Sequence, residues 1–371
     1  MTKSLTGNEA AALAIRQVNP GVVSAYPITP VTEIMQIISR YISDRKMQTE
    51  LVLAESEHSA ISVCVGAAAS GVLTVTATAS QGLLYMHEIL PIASGLRLPI
   101  VMIVGNRAIS APINIHNDHS DTMAVKDSGW LQFYAENPQE AYDLTILAFK
   151  ISQILRLPIM VCMDGFITTH EMAKINILSN KEVKKFIGKI KLNNSLFNFD
   201  KPETLGYLAL PSHYMDFRLD LSKAIENSVK EIQKIFDDYN QKFSKNYQLI
   251  EEYGLESSKI VVVAMSSLCG TIKELIDNNI LKNIGLLKIT TFRPLPQQQL
   301  VNLLKDKEKI IVLDKSLTFV GEENGNLFEE VRNSLFESKN KLEVFSEVVG
   351  LGGKAVYPND LEQIIKKYDG K

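Results

Sequence analysis

Three cysteines in 371 residues, one tryptophan and no long apolar run are what this chain has least of. Cys64, Cys162 and Cys269 lie far apart, each inside apolar sequence. That spacing excludes a disulfide framework and a cysteine-ligated metal or iron–sulfur centre on this chain, and it reads as buried thiols in a reducing compartment. No stretch approaches the roughly 18 apolar residues of a membrane span. The start, MTKSLTGNEAAALAIRQ, has no apolar segment of the signal-peptide kind, so a cytoplasmic protein is expected. A net charge of −3, without a basic stripe, argues against nucleic acid. Neither GxGxxG nor GxxxxGK[ST] occurs, so the sequence shows no phosphate cradle of its own.

What is present is an alternation of short apolar strands and helices. Val22 to Tyr26, Val72 to Ala79, Pro99 to Val104, Trp130 to Tyr134 and Pro158 to Met163 read as strands. Helices are expected between them: after Thr6, after Thr32 as a cap, after Ser56, from Ser80 through Gly95, and from Pro138 to about Leu155. Such alternation predicts a doubly wound α/β unit with a parallel sheet covered on both faces. From Lys181 the texture changes to an irregular excursion, then to an amphipathic stripe from Leu221 to Phe243. A second run of βα units follows Lys259. The expected organisation is residues 1–180, an excursion over 181–255 packed on the first unit, and a second α/β domain over 256–371.

The chain centres on Leu53 to Gly71. Ser56 is the expected N-cap, which sets Glu57 in the first turn of a helix rich in Ala, Ser and Gly. Glu55 and Glu57 both face what lies beyond that helix start, and spacing alone also allows a solvated loop. Thr29, bracketed by Pro27 and Pro30, and Arg107, directly after a buried strand, fall at strand C-terminal ends, where open α/β sheets bind ligands. A plain turn for Thr29 and a surface salt bridge for Arg107 are the competing readings. The 116–121 run, His-Asn-Asp-His-Ser-Asp, offers metal-ligand types, but residues this close rarely converge on one ion, and a polar loop at a domain or subunit contact is the favoured reading. Gly350-Leu351-Gly352-Gly353 reads as a tight turn ahead of a phosphate loop.

Taken together, T-G-N-E-A at 6–10, Y-P-I-T-P at 26–30, E-S-E-H-S-A at 55–60, S-Q-G at 80–82, R-L-P-I-V at 97–101, N-R-A-I-S-A-P at 106–112, H-x-D-H-S-D at 116–121 and V-C-M-D-G-F at 161–166 form a recognisable series. With F-R-P-L-P at 292–296 and G-L-G-G at 350–353, they resemble the alpha subunits of the 2-oxoacid:ferredoxin oxidoreductase family, the pyruvate:ferredoxin oxidoreductases foremost. The resemblance implies a thiamine diphosphate pyrimidine-binding domain followed by a transketolase C-terminal-like α/β domain. It implies oxidative decarboxylation of pyruvate with coenzyme A to acetyl-CoA and CO2. Beta, gamma and delta subunits would complete the complex. The beta subunit would share the thiamine diphosphate and hold its Mg2+, with [4Fe-4S] clusters on partner subunits and ferredoxin or flavodoxin as acceptor. By register, Glu57 matches the residue that bonds N1′ of the aminopyrimidine, with Glu55 the rival. Thr29 and Arg107 match the pair that engages the substrate's keto oxygen and carboxylate; no metal ligand is expected on this chain. A 2-oxoisovalerate enzyme is the nearest alternative and a 2-oxoglutarate enzyme a more distant one. Beyond these stand a non-catalytic assembly subunit and a self-contained thiamine enzyme such as a transketolase.

Overall fold

The computed structural model describes residues 1–188, 196–256, 258–320, 322–336 and 342–368. The chain opens with β1 (Thr2–Leu5), α1 (Gly7–Val18), β2 (Val22–Ala25), α2 (Thr32–Ser43), β3 (Glu50–Leu53) and α3 (Glu57–Ala69). Next come β4 (Thr74–Thr78), α4 (Ser80–Tyr85), α5 (Leu90–Gly95), β5 (Ile100–Asn106) and α6 (Ser120–Ala124). β6 (Leu131–Ala135), α7 (Pro138–Leu155), β7 (Ile159–Asp164), β8 (Ala173–Asn176), α8 (Asn180–Ile187) and α9 (Pro211–Phe243) follow. The remainder is β9 (Ile250–Tyr253), β10 (Ile260–Ala264), α10 (Leu268–Asp277), β11 (Ile284–Ile289), β12 (Thr291–Arg293), α11 (Gln297–Leu304), β13 (Lys309–Asp314), α12 (Asn326–Leu335), β14 (Glu343–Val348) and α13 (Pro358–Lys366).

The first sheet has the strand order β12-β6-β7-β5-β4-β2-β3. Its strands are parallel except β12. Every residue of β5 is buried, because helices cover both faces and no side chain there is left to face water. Alanines 10, 11, 12 and 14 of α1 are fully buried, and so small a face lets α1 lie close against α7. Thr6 caps α1 through a reciprocal pair with Glu9. The second sheet runs β14-β13-β10-β11-β9, parallel apart from β9.

Several elements differ from the expectation. Thr32 is the first residue of α2 and caps nothing; Val31 stands at the N-cap, delivered by the Ile28–Val31 turn. The single helix expected from Ser80 to Gly95 is two, α4 and α5. Pro91 explains the break, since it has no N–H to bond back into a continuous helix. α9 begins at Pro211, so its first turns replace part of the expected irregular stretch; residues 189–195 of that stretch lie outside the described residues. Three pairings join distant segments that no local pattern reveals. β1 pairs with β8 as a two-stranded ribbon, β9 edges the second sheet, and β12 crosses over to pair antiparallel with β6. One apolar core runs from Ala60, Ile61 and Cys64 on α3 to Val261, Leu287 and Phe328, so the two sheets are packed as one body.

Candidate active site

The chain leaves β2 for β3 on one side, then returns to β4 on the other. Strand order reverses there, and in an open α/β sheet the loops at the C-terminal ends of such strands frame a ligand crevice. Those loops carry Thr29 after β2, Glu57 after β3, Ser80 to Gly82 after β4 and Arg107 after β5.

Ser56 caps α3 by accepting from the Ser59 N–H at 3.2 Å, which sets Glu57 in the first helical turn. Glu57 is 8% exposed. Its carboxylate lies against the β4–α4 turn so closely that a Cβ on Gly82 would stand 2.6 Å from Oε1 and 2.7 Å from Thr78 Oγ1. Glycine at 82 is therefore required by approach. No donor among the described residues meets this carboxylate, which keeps a little contact with solvent, while Thr78 Oγ1 and Gln81 Nε2 beside it are buried without partners. Two buried polar atoms without partners beside an unbonded carboxylate mark this turn, since buried polar atoms are nearly always bonded. Glu55 is different in kind. It is exposed and accepts from the Ser59 hydroxyl, and that bond, then its own backbone N–H, holds its carboxyl below the ordinary value.

Arg107 donates from Nη1 to the Thr29 carbonyl at 3.2 Å and from Nε to the Asn114 carbonyl at 3.2 Å. No carboxylate pairs with it among the described residues, so the surface salt bridge does not form, and Nη2 remains for an outside acceptor. The Thr29 hydroxyl is not what meets Arg107; its carbonyl is, and the Thr29 side chain is exposed. Thr29 and Arg107 are thus in contact, while Glu57 stands on the neighbouring turn.

Asp121 joins these two parts, and sequence reasoning gave it no role. Its Oδ2 accepts from Ser80 N at 2.9 Å and from Arg107 N at 3.0 Å; its Oδ1 accepts from Asn106 Nδ2 at 2.9 Å and Thr122 N at 2.8 Å. Burial pushes the Asp121 carboxyl up to about 6, against the opposing pull of these N–H groups. The rest of the 116–121 run diverges. Asp118 accepts from Ser120 and from Gly352 N, and His119 Nε2 lies 2.8 Å from Asp164. Burial would raise the Asp164 carboxyl, but the Lys315 ammonium at 2.5 Å, with His119, holds it well below the ordinary value. With its ligand-type side chains committed to different partners, the run converges on no common point.

Among the described residues, Glu136, Glu140 and Glu251 form the one group of three ligand-type side chains close enough to share an ion. The Lys288 ammonium occupies that position, 2.8 Å from Glu136 and 3.0 Å from Glu251 and bonded to Glu140. The three cysteines are buried on α3, β7 and α10. No helix among the described residues is long and apolar enough to cross a membrane.

Residues 13–237 match the family model described as pyruvate flavodoxin/ferredoxin oxidoreductase, thiamine diphosphate-binding. Residues 258–361 match pyruvate:ferredoxin oxidoreductase core domain II. The chain is 44% identical to pyruvate synthase subunit PorA of Pyrococcus furiosus, over 98% of this chain and 92% of that one. It is 37% identical to ketoisovalerate oxidoreductase subunit VorA of Pyrococcus abyssi, over 98% and 92%. In fold it is similar to 2-oxoglutarate:ferredoxin oxidoreductase from Magnetococcus marinus, with a TM-score of 0.77 at 17% identity, covering 99% of this chain and 65% of that one. It is also similar to a split-gene transketolase, with a TM-score of 0.59 at 11% identity and 98% of both chains covered. The two α/β units are thus of the thiamine diphosphate-binding, transketolase-like kind.

Proposed function

The chain belongs to the pyruvate flavodoxin/ferredoxin oxidoreductase family, and from that premise we propose that it is the alpha subunit of a multi-chain pyruvate:ferredoxin oxidoreductase. The reaction is conversion of pyruvate and coenzyme A to acetyl-CoA and CO2, with two electrons passed on to ferredoxin or flavodoxin. Beta, gamma and delta subunits complete the complex in this reading. They hold the diphosphate end of the cofactor, its Mg2+ and the [4Fe-4S] clusters, for which this chain has neither a phosphate loop nor grouped cysteines.

The observation that carries the proposal is the Glu57 carboxylate, buried at a helix start at the crevice and without a donor. It fits one group in particular, a ring nitrogen able to share a proton. Glu57 gives and takes that proton at N1′ of the aminopyrimidine. Thiamine diphosphate, when bound, supplies the nucleophilic carbon and the electron sink for loss of CO2. Gly82 keeps the wall beside Glu57 free of a side chain, so a flat ring has room against it. Arg107 turns Nη2 to the substrate carboxylate, since its other contacts are carbonyls that hold the fork without neutralising it. The exposed Thr29 hydroxyl serves the keto oxygen. Asp121 holds the Arg107 backbone and the β4–α4 turn in one frame, which is how a buried carboxylate outside the proton transfer aids orientation.

The test is coenzyme A-dependent viologen reduction by the anaerobically purified native complex, offered pyruvate, 2-oxoisovalerate and 2-oxoglutarate separately. Preference for pyruvate is expected. Preference for the branched acid moves the substrate and keeps the mechanism. No reduction with any of the three, by a complex carrying its cofactor and intact clusters, contradicts the function.

A further inference from the structure

The guanidinium of Arg107 is held in part from the second domain. Its Nε bonds the Asn114 carbonyl, and the Asn114 side chain donates from Nδ2 to the Gly352 carbonyl at 2.9 Å. The Gly352 N–H returns a bond to Asp118 Oδ2 at 3.1 Å, and Gly353 N–H meets the Asn117 carbonyl at 2.6 Å. On the other flank, His119 N–H donates to the Lys315 carbonyl at 2.7 Å. The loop that follows Arg107 is therefore bonded to the turns after β13 and β14.

Those turns sit on a stiff base. β13 and β14 stay in register from Lys309↔Glu343 to Asp314↔Val348, and Val349 N–H bonds Asp314 O at 2.8 Å. The turn itself is built for close approach. Gly352 has φ +58° and Gly353 φ +77°, a region that side chains disfavour. A Cβ on Gly352 would stand 2.5 Å from Asn114 Nδ2, and one on Gly353 2.3 Å from His116 Cβ. From the first domain the loop receives the Ala108 N–H bond to the His116 carbonyl at 2.9 Å, the Arg107 N–H bond to Asp121, and the His116 N–H bond to Asn114 Oδ1 at 2.7 Å. Asn114, whose carbonyl lies under Arg107 Nε, is thus held at its side-chain oxygen from within the loop and at its side-chain nitrogen by Gly352.

We propose that Asn114 and Gly352 are positioning residues for the substrate carboxylate, so that the second domain, which carries none of the reacting groups, sets the direction of the Arg107 fork. The proposal rests on the reading that Arg107 binds that carboxylate. A loosened fork costs substrate binding before it costs chemistry, since proton transfer at Glu57 is untouched.

The experiment measures kcat and KM for pyruvate and KM for coenzyme A in the assembled complex, for Arg107→Ala, Asn114→Ala and Gly352→Ala. Arg107→Ala is expected to raise the pyruvate KM about a hundredfold; Asn114→Ala and Gly352→Ala about tenfold, with kcat within about threefold of the parent. The coenzyme A KM stays unchanged, a split that a loss of folded complex does not produce. If Gly352→Ala fails to assemble, Asn114→Ala decides, because it removes the bond to Gly352 together with the local bond from His116 N–H and adds no bulk. A raised pyruvate KM in Arg107→Ala alone, with both other variants at parent values, overturns this proposal and leaves the proposed function standing. An unchanged pyruvate KM in Arg107→Ala itself overturns the substrate role and this inference with it.

Discussion

Among the described residues, buried glutamates stand in two places, and they are treated in opposite ways. Where β6, α7, β9, α10 and β11 meet, Glu136, Glu140 and Glu251 surround the ammonium groups of Lys288 and Lys273, at 2.7 to 3.0 Å where they do not lie closer still. Burial raises the Glu140 carboxyl while Lys288 pulls it down; burial also raises Glu251, which Lys288 and Lys273 together bring below the ordinary value. At the crevice, Glu57 is 8% exposed and has no donor among the described residues. A buried charge with partners holds elements together, whereas one without partners must find them in something that binds. The first cluster ties the two domains; the second is where chemistry is expected.

Breaking the satisfied cluster gives the largest change in stability. Lys288→Met leaves Glu140 without a cation and three carboxylates to share Lys273, and it is expected to cost about 3–5 kcal/mol, read as a lowered urea midpoint, with turnover per folded complex unchanged. Loss of turnover at full stability would reverse the assignment of the two clusters. Asp121 sharpens the comparison, being both fully bonded and adjacent to the site. Asp121→Asn turns one accepting oxygen into a donor facing N–H groups, and kcat/KM is expected to fall about tenfold. In the parent protein the same loss should appear as pH drops below about 6, where the Asp121 carboxyl takes up a proton. Stability runs the other way: a carboxyl raised in the folded state binds its proton there first. Its contribution is therefore full below the unfolded value near 3.8 and is lost as pH rises through about 6. An acid limb in kcat/KM that persists unchanged in Asp121→Asn would assign it to another group.

Much of the first domain was legible because its signals are local. The Ser56 cap, the Pro138 helix start and the apolar β5 run each depend on a few neighbouring residues, and strand ends followed by Thr29, Glu57 and Arg107 pointed to one sheet edge. What was not legible depends on distant partners. β12 has three residues and pairs with β6, some 160 positions earlier, so nothing near Thr291 announces it. Lys288 carried a signal that was passed over, a lysine inside the apolar strand Ile284–Ile289, whose burial requires counter-charges. Asp121 resisted for another reason. Its run read as a polar contact loop with no role for any one residue, and the partners that give each its place come from α4, β5, β7 and the second domain. Between Glu55 and Glu57 the structure shows a difference of partner, since the Ser59 hydroxyl engages the first and not the second.

That pair supplies the most direct measurement. Glu57→Gln and Glu55→Gln, each in the assembled complex with its cofactor and clusters, are compared by coenzyme A-dependent viologen reduction with pyruvate. Glu57→Gln is expected to lower kcat by about 10²–10⁴-fold with an unchanged melting temperature, as loss of a proton-sharing carboxylate does. Glu55→Gln stays within about threefold of the parent. Parent-like turnover in Glu57→Gln would contradict the account, whatever Glu55→Gln does.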